Sequence, residues 1–293
     1  MNWTDVLLSV AALIVVGLAV YAWCIEPYRI RLNKVEIAIP DLPERHDGLT
    51  ICHLSDTHTA KYGRLEKRIG EILAGIDADL CVITGDLLGR RAGIEALRRV
   101  LGSFKPRLGV FAVLGNGDYK LKIPVHELAS DLERSGIGLL MNSHVTLSSN
   151  GEELHVIGVD DPFRALDELD GAMSGLRKDG LKLLLAHSPD ILMKVADEPV
   201  DLVLAGHTHG GQVRLPFMRA LWLHSRYHLD ICNGYFSPQA LSRILERDMA
   251  GVHLYVSRGL GSSGISARFM CAPEMVLITL RRRFEAKGKR GTS

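Results

Sequence analysis

Several absences narrow the possibilities for this chain. Its five cysteines (Cys24, Cys52, Cys81, Cys232 and Cys271) are odd in number and scattered, and no Cys-x-x-Cys occurs. That usage argues against a disulfide framework and suits a reducing compartment. Cys52 and Cys81 sit inside apolar runs, where buried free thiols are common. An excess of one charge is also missing. Thirty-five Lys and Arg against 34 Asp and Glu leave a formal charge of +1, so no global field points to nucleic acid. No Gly-x-Ser-x-Gly elbow and no Walker loop is present, which removes support for acyl-enzyme or nucleotide-driven chemistry. There is no internal repeat, and no low-complexity segment apart from a basic tail. At 293 residues and 47% hydrophobic, the chain can build one large domain or two small ones around a substantial core.

Charge is wholly absent from Val6 to Ile25. Such a stretch, if helical, spans about 30 Å, one bilayer core. Trp3 lies near one end, and Tyr21 and Trp23 near the other, where interfacial anchors sit. A cleaved signal peptide and a buried core helix are the alternatives. Val20-Tyr21-Ala22 is a tolerable cleavage site, but Asp5 stands where a signal peptide carries basic residues. Arg29, Arg31 and Lys34 follow the span and no Lys or Arg precedes it. This flank places the body of the protein on the cytoplasmic side of an inner or plasma membrane, crossed once.

Beyond the span, Lys34 to Ile39 alternates like a half-buried strand, and Pro40 to Gly48 is a connector. Strands are expected over Leu49–Leu54, Leu80–Ile83 and Gly109–Leu114. Helical spacing over Arg64–Ile76 and Ile94–Phe104 separates them. This alternation predicts parallel pairing with right-handed crossovers. Pro124 to Ser135 reads as a helix with Pro in its first turn. Leu154–Val159 is a strand ending in Asp160-Asp161, and a helix should follow to Leu176. Leu181–Ala186 and the run starting at Leu202 are further strands. Val252–Val256 and Met275–Leu280 suggest a second sheet, antiparallel in part.

Five of these runs stop at metal-ligand residue types. Asp56 and His58 follow the first, Asp86 the second, Asn116 the third and His187 the fourth. The fifth, Leu202 to Ala205, breaks into Gly206-His207-Thr208-His209-Gly210-Gly211. Each has an innocent reading, since Gly-Asp marks turns and Asn between glycines suits a left-handed bend. All of them together at strand ends, where open α/β sheets collect ligands, point to one site. Mixed oxygen and imidazole donors favour manganese, iron or zinc over calcium. Seven donors exceed one ordinary site and suit two cations sharing a carboxylate, a pair able to activate water for in-line attack on phosphorus.

The ordered set Asp56-x-His58, Gly85-Asp86, Gly115-Asn116-x-Asp118, His187 and Gly206-His207-x-His209 resembles the calcineurin-like metallophosphoesterases over about Leu49 to Leu280. The resemblance implies an α/β fold, a two-sheet α/β/β/α sandwich, here carrying an N-terminal transmembrane helix. It assigns Asp56, His58, Asp86 and His209 to one metal, and Asp86, Asn116, His187 and His207 to the other. Asp86, Asn116 and His207 become the catalytic residues. Two divalent ions are implied, manganese foremost, with iron, zinc or magnesium as alternatives. The segments Gly210–Pro216 and Ser257–Gly264 resemble the membrane-associated YaeI, YkuE and UDP-2,3-diacylglucosamine pyrophosphatase branch. One departure stands out: Gly117 replaces the histidine the family usually has. That residue is thought to help the leaving group, so attack on esters with poor alkoxide leaving groups is put in doubt.

The reading has four parts: an anchor (1–27), a linker with the first strand (28–48), a metallophosphoesterase domain (49–281) and a basic tail (282–293). The expected reaction is hydrolysis of a phosphodiester or pyrophosphate bond in a phosphate-containing, lipid-linked substrate, with UDP-2,3-diacylglucosamine as the named candidate. A general phosphodiesterase and a non-catalytic metal-binding scaffold are the alternatives. The basic and apolar stretch from Arg214 to Leu229 is either a lipid-phosphate holder or an ordinary lid. Arg214 and Arg258 are the candidate substrate-binding residues. Arg90, Arg91, Arg98 and Arg99 read as a solvated helix face, and the tail (Arg281–Arg283, Lys287, Lys289, Arg290) as a solvated end or a lipid-attracted one. The remaining eight histidines read as structural. A topology reporter fused after Ser293 should give a cytoplasmic signal; an external signal would reverse the orientation.

Overall fold

Strands buried on both faces dictate the architecture, because each needs a covering layer on either side. The computed structural model describes residues 2–283 apart from 103, 178, 196–197, 216–224, 226–229 and 250. In chain order the elements are α1 (Trp3–Val20), β1 (Arg31–Pro40), β2 (Thr50–Leu54), α2 (Arg64–Leu73), β3 (Leu80–Thr84), α3 (Gly93–Leu101) and β4 (Val110–Val113). They continue with α4 (Asn116–Lys120), α5 (Val125–Arg134), β5 (Ile137–Leu139), β6 (Ser143–Ser149), β7 (Glu152–Gly158), α6 (Leu169–Met173), β8 (Leu181–Leu185) and α7 (Leu192–Val195). The last are β9 (Leu202–Ala205), β10 (Gly234–Phe236), α8 (Pro238–Leu245), β11 (His253–Val256) and β12 (Glu274–Arg283).

Two six-stranded sheets form, in the orders β1-β12-β2-β3-β4-β5 and β10-β11-β9-β8-β7-β6. They face each other across a core that includes Ile51, Leu80, Val82, Leu183, Leu185, Leu202 and Leu204. Alternate residues of the same strands point outward. Cys52, Leu54, Cys81 and Ile83 pack under Ile69 and Leu73 of α2, Leu97 of α3 and Leu128 of α5. On the far side Leu184, Val203 and Leu254 pack against Leu169, Leu192 and Leu241. The result is an α/β/β/α sandwich. Cys52 and Cys81 are register partners, buried and free.

Two expectations are corrected. The segment from Pro162 to Leu176 is not one helix. A single turn over Pro162–Arg164 ends at Ala165, whose left-handed backbone (φ 56°) stops propagation, and only α6 follows. The last two strands also part company. β11 joins the second sheet parallel to β9, whereas β12 lies in the first sheet, antiparallel to β2 and parallel to β1. Continuous apolar runs carry no mark of which sheet they join. The connection from Ser257 to Pro273 therefore crosses between the sheets.

α1 buries none of its residues. Together with the turns to Tyr28 it is long and apolar enough to cross a membrane. Its C-terminal end is bolted to the Ser257–Pro273 connection. Arg268 N–H donates to Ala22 O (2.9 Å), and the buried Glu26 carboxylate accepts from Met270 N–H (2.9 Å) and Cys271 N–H (2.7 Å). Tyr21 meets Phe269 edge to face at 6.2 Å.

His53 on β2 is fully buried. It lies edge-on to Tyr255 at 6.2 Å and 2.8 Å from Thr84 Oγ1. Burial pulls it down to about 3 from an ordinary 6.5. The unfolded chain therefore gains a proton below pH 6.5 that the folded chain refuses until about pH 3. This contribution favours folding above pH 6.5 and is lost steadily as pH falls through that window. Urea unfolding from pH 7 to pH 4 should show the loss, and His53→Gln should flatten the slope.

Candidate metal centre

The carboxyl ends of strands from both sheets meet at one place. β2 delivers Asp56 and His58, β3 Asp86 and β4 Asn116; β8 delivers His187, and β9 His207 and His209. Each chain must turn sharply on leaving its strand to aim a side chain inward. Asp56, His58, Asp86, His207 and His209 all have positive φ, between 44° and 69°. Asp and His tolerate this conformation better than most residues, yet it costs on the order of 1 kcal/mol each and persists only where the surroundings impose it. Gly206 is the close-approach point: a Cβ there would collide with Ser55 Oγ and Asp56 Oδ2.

Donor atoms of Asp56, His58, Asp86 and His209 all lie within 4.8 Å of one another. His58 Nε2 is 3.4 Å from both Asp86 Oδ2 and His209 Nε2, and His209 Nε2 is 3.4 Å from Asp56 Oδ1. A second group adjoins the first. His187 Nε2 stands 3.4 Å from Asp86 Oδ1, 3.2 Å from Asn116 Oδ1 and 3.0 Å from His207 Nδ1. Asp86 thus turns one oxygen toward each group. Oxygen and nitrogen lone pairs converging without a thiolate fit a pair of divalent cations sharing that carboxylate.

Electrostatics within the cluster is tense. Burial pushes the Asp56 carboxyl above its usual range, against the pull of His187 and with a push from Asp86. Burial would lower His187, but Asp86, Asp56 and Asp161 hold it up at about 9. Burial pulls His209 well down, and His58 and Arg268 add to it.

Around the donors lies a ring of supporting groups. His187 Nδ1 is 2.9 Å from Thr84 O, which fixes the tautomer that leaves Nε2 free to ligate. His207 N–H donates to Asp56 Oδ2 at 3.0 Å. Behind Asp56 runs a chain of donors. With its proton on Nε2, His53 donates to Thr84 Oγ1 (2.8 Å), Thr84 to Ser55 Oγ (2.8 Å), and Ser55 to Asp56 Oδ2 (2.5 Å). Gly117 N–H donates to Asp86 Oδ1 at 2.6 Å, and a Cβ at 117 would stand 2.7 Å from that oxygen.

Some contributors are not among the sequence-derived candidates. Asp161 is buried, feels His187 and Asp86, and caps Phe163 N–H at 3.0 Å. Phe163 in turn lies 4.6 Å from the His207 ring. The strand-end pair Asp160-Asp161 was the available signal. Tyr119 donates to Asp160 at 2.6 Å, which burial and that carboxylate make a very weak acid. Arg268, fully buried, donates to the carbonyls of Arg258, Gly259, Gly261 and Cys271.

Arg214 and Arg258 lie close to this turn. Arg214 Nε donates to Gly210 O (2.6 Å) and its guanidinium also reaches Asn233 Oδ1. Arg258 pairs with Glu274 at 2.6 Å and 2.9 Å. Most of the Arg214–Leu229 stretch, and the tail lysines with Arg290, lie outside the described residues. Removing the middle of the donor chain tests its role. Thr84→Val keeps the shape but removes the hydroxyl that supports Ser55 behind Asp56, and should weaken divalent-cation binding by about 10-fold or more in calorimetry, with a thermal melt confirming the fold.

Comparison with known proteins agrees with this geometry. The profile of the Calcineurin-like phosphoesterase family matches residues 49–211. The chain is 30% identical to the metallophosphoesterase YkuE of Bacillus subtilis, over 89% of this chain and 89% of that one. It is 28% identical to the phosphodiesterase YaeI of Escherichia coli, over 78% and 81%. It is 24% identical to the UDP-2,3-diacylglucosamine pyrophosphatase LpxG of Chlamydia muridarum, over 92% and 95%. With its Asp56, His58, Asp86 and His209 cluster inside a match spanning more than half its length, the chain belongs to the calcineurin-like phosphoesterases and is a metal-dependent phosphoesterase.

Proposed function

We propose that this phosphoesterase is anchored in an inner or plasma membrane by α1, with its domain on the cytoplasmic side. In this reading it hydrolyses a phosphodiester or pyrophosphate bond in a lipid-linked substrate. The observation that carries the reaction class is Asp86, with Oδ2 facing His58 and Oδ1 facing His187. UDP-2,3-diacylglucosamine is the specific candidate, supported by the printed activity of the chlamydial relative. Retention of α1 is supported by Tyr21, Ala22 and Glu26, which the domain uses as packing and hydrogen-bond partners.

Two divalent ions, manganese foremost, would polarise a phosphoryl oxygen and lower the pKa of a water at this site. The chain's own residues do the positioning. Asp56, His58 and His209 define one side of Asp86, and Asn116, His187 and His207 the other. Asp86, Asn116 and His207 are the catalytic residues of this proposal, as the family resemblance implies. Arg214 and Arg258 would reach phosphate by exchanging internal bonds to Gly210 O and Glu274.

Gly117 shapes the substrate choice. It brings a backbone N–H to Asp86 and no imidazole that could protonate a departing alkoxide. Bonds whose leaving group is already a stable anion, such as a nucleoside monophosphate or nitrophenolate, need no such acid. Purified protein with manganese should therefore turn over bis-p-nitrophenyl phosphate and UDP-2,3-diacylglucosamine, and leave simple alkyl phosphate monoesters untouched. Asp86→Ala should lower kcat by about 100-fold or more. Turnover equal to wild type in that variant would overturn the proposal.

A further inference from the structure

A second feature adjoins the metal centre. A cleft of about 290 Å³ runs from Pro27 and Tyr28, where the chain leaves α1, to the metal-ligand candidate His58. One wall is Lys61 and Arg64, from the connection after β2 and the first turn of α2. The other is Leu260–Ser262 of the connection between β11 and β12. That second wall is tied to the donor segment: Gly261 N–H donates to Asp56 O (2.7 Å) and Leu260 N–H to Ser55 O (3.0 Å). The cleft therefore opens at the foot of α1 and ends at the first donor group.

Its chemistry is cationic. Lys61 and Arg64 are both exposed. Arg64 lies over the Tyr28 ring at 4.5 Å. Among the described residues neither has a carboxylate within 4.0 Å. Glu66, the acid in the lining, is buried with Oε2 on Gly63 N–H at 2.9 Å. By contrast, Arg214 and Arg258 are already engaged with protein groups. An anion entering here meets two cations that have no carboxylate partner among the described residues.

The same face carries apolar residues turned to solvent. Ile265 is 56% and Met270 53% exposed, both on the connection that grips Ala22 and Glu26. Trp23 and Ile25, on the segment that this connection grips, are exposed as well. Such a rim suits the boundary between headgroups and acyl chains.

We infer that this cleft admits the phosphorylated headgroup of an amphiphile embedded in the leaflet nearest the domain, with Lys61 and Arg64 as its anion-binding residues. Its volume holds a headgroup while the chains stay in the bilayer. This rests on the proposed phosphoesterase reading only for what happens to the headgroup once it arrives. Because Glu26 and Arg268 fix the anchor to the domain, the cleft keeps one height above the bilayer and the substrate need not leave it.

Two readouts separate the inference from the reaction. In full-length protein reconstituted in vesicles of digalactosyldiacylglycerol, a lipid without phosphate, acylation of Lys61 by sulfosuccinimidyl acetate, read by mass spectrometry, should slow severalfold when hexadecylphosphonate is added. Ethylphosphonate at the same bulk concentration should not slow it, and Arg64→Ala should weaken the protection. Protection by neither compound, or equally by both, overturns the inference; the latter makes the cleft a free-phosphate site. In the second readout, Lys61→Ala with Arg64→Ala should raise KM for hexadecyl p-nitrophenyl phosphate by about tenfold with little change in kcat, and Lys61→Arg with Arg64→Lys should restore it. An unchanged KM, a loss confined to kcat, or no rescue by the charge-keeping pair also overturns it. Lys61 protection without turnover of this ester would sink the phosphoesterase reading and leave the cleft assignment standing.

Discussion

Asp86 is one buried carboxylate placed so that each of its oxygens faces a different set of imidazoles, His58 on one side and His187 on the other. That placement constrains the whole structure. The groups it faces come from different sheets, so the two facing sheets must bring the carboxyl ends of these strands to one place. The chain must also bend into left-handed conformations at Asp56, Asp86, His207 and His209 to point donors inward. Like charges and like dipoles crowd together there, which raises Asp56 and lowers His209 by burial first and proximity second. A protein interior bears such crowding when cations satisfy it, and the surrounding hydrogen bonds hold the donors ready for them.

The support is layered. Apolar contacts between the sheets and beneath the helices hold the strand ends in place. The His53–Thr84–Ser55 donor chain then orients Asp56, and Thr84 O orients His187. Arg268 does a different task. Its backbone N–H grips Ala22 at the end of α1, while its guanidinium gathers the carbonyls of the Ser257–Pro273 connection. The foot of α1 and the metal centre are therefore tied to the same connection. Under the proposed membrane reading, that tie would present the site at a set distance from the bilayer.

Much of the site was readable from residue order, because the chemistry is written at strand ends. An apolar run followed by a ligand-type residue is a local signal, and five of them survive as β2, β3, β4, β8 and β9, with Gly85, Gly115 and Gly206 before the donor in three. Other elements left weaker marks. β6, with Ser143, Thr146 and Ser148 in it, lacks the apolar run that announces a buried strand, and β5 and β10 are three residues long. The helix expected after Pro162 failed at Ala165, whose left-handed backbone no propensity would forecast.

By itself the sequence determined which residues form the donor-bearing strands, which donor types follow them, and that one uncharged stretch precedes the domain. Periodicity and composition act over a few residues, so they are legible there. Only the tertiary structure decided that β12 joins the first sheet and β11 the second, that His53 braces Asp56, and that Glu26 belongs to the domain. The same holds for Lys61 and Arg64, which share a cleft with Tyr28. Those relations join residues up to about 245 positions apart, and no local pattern encodes which distant backbone will satisfy a buried carboxylate.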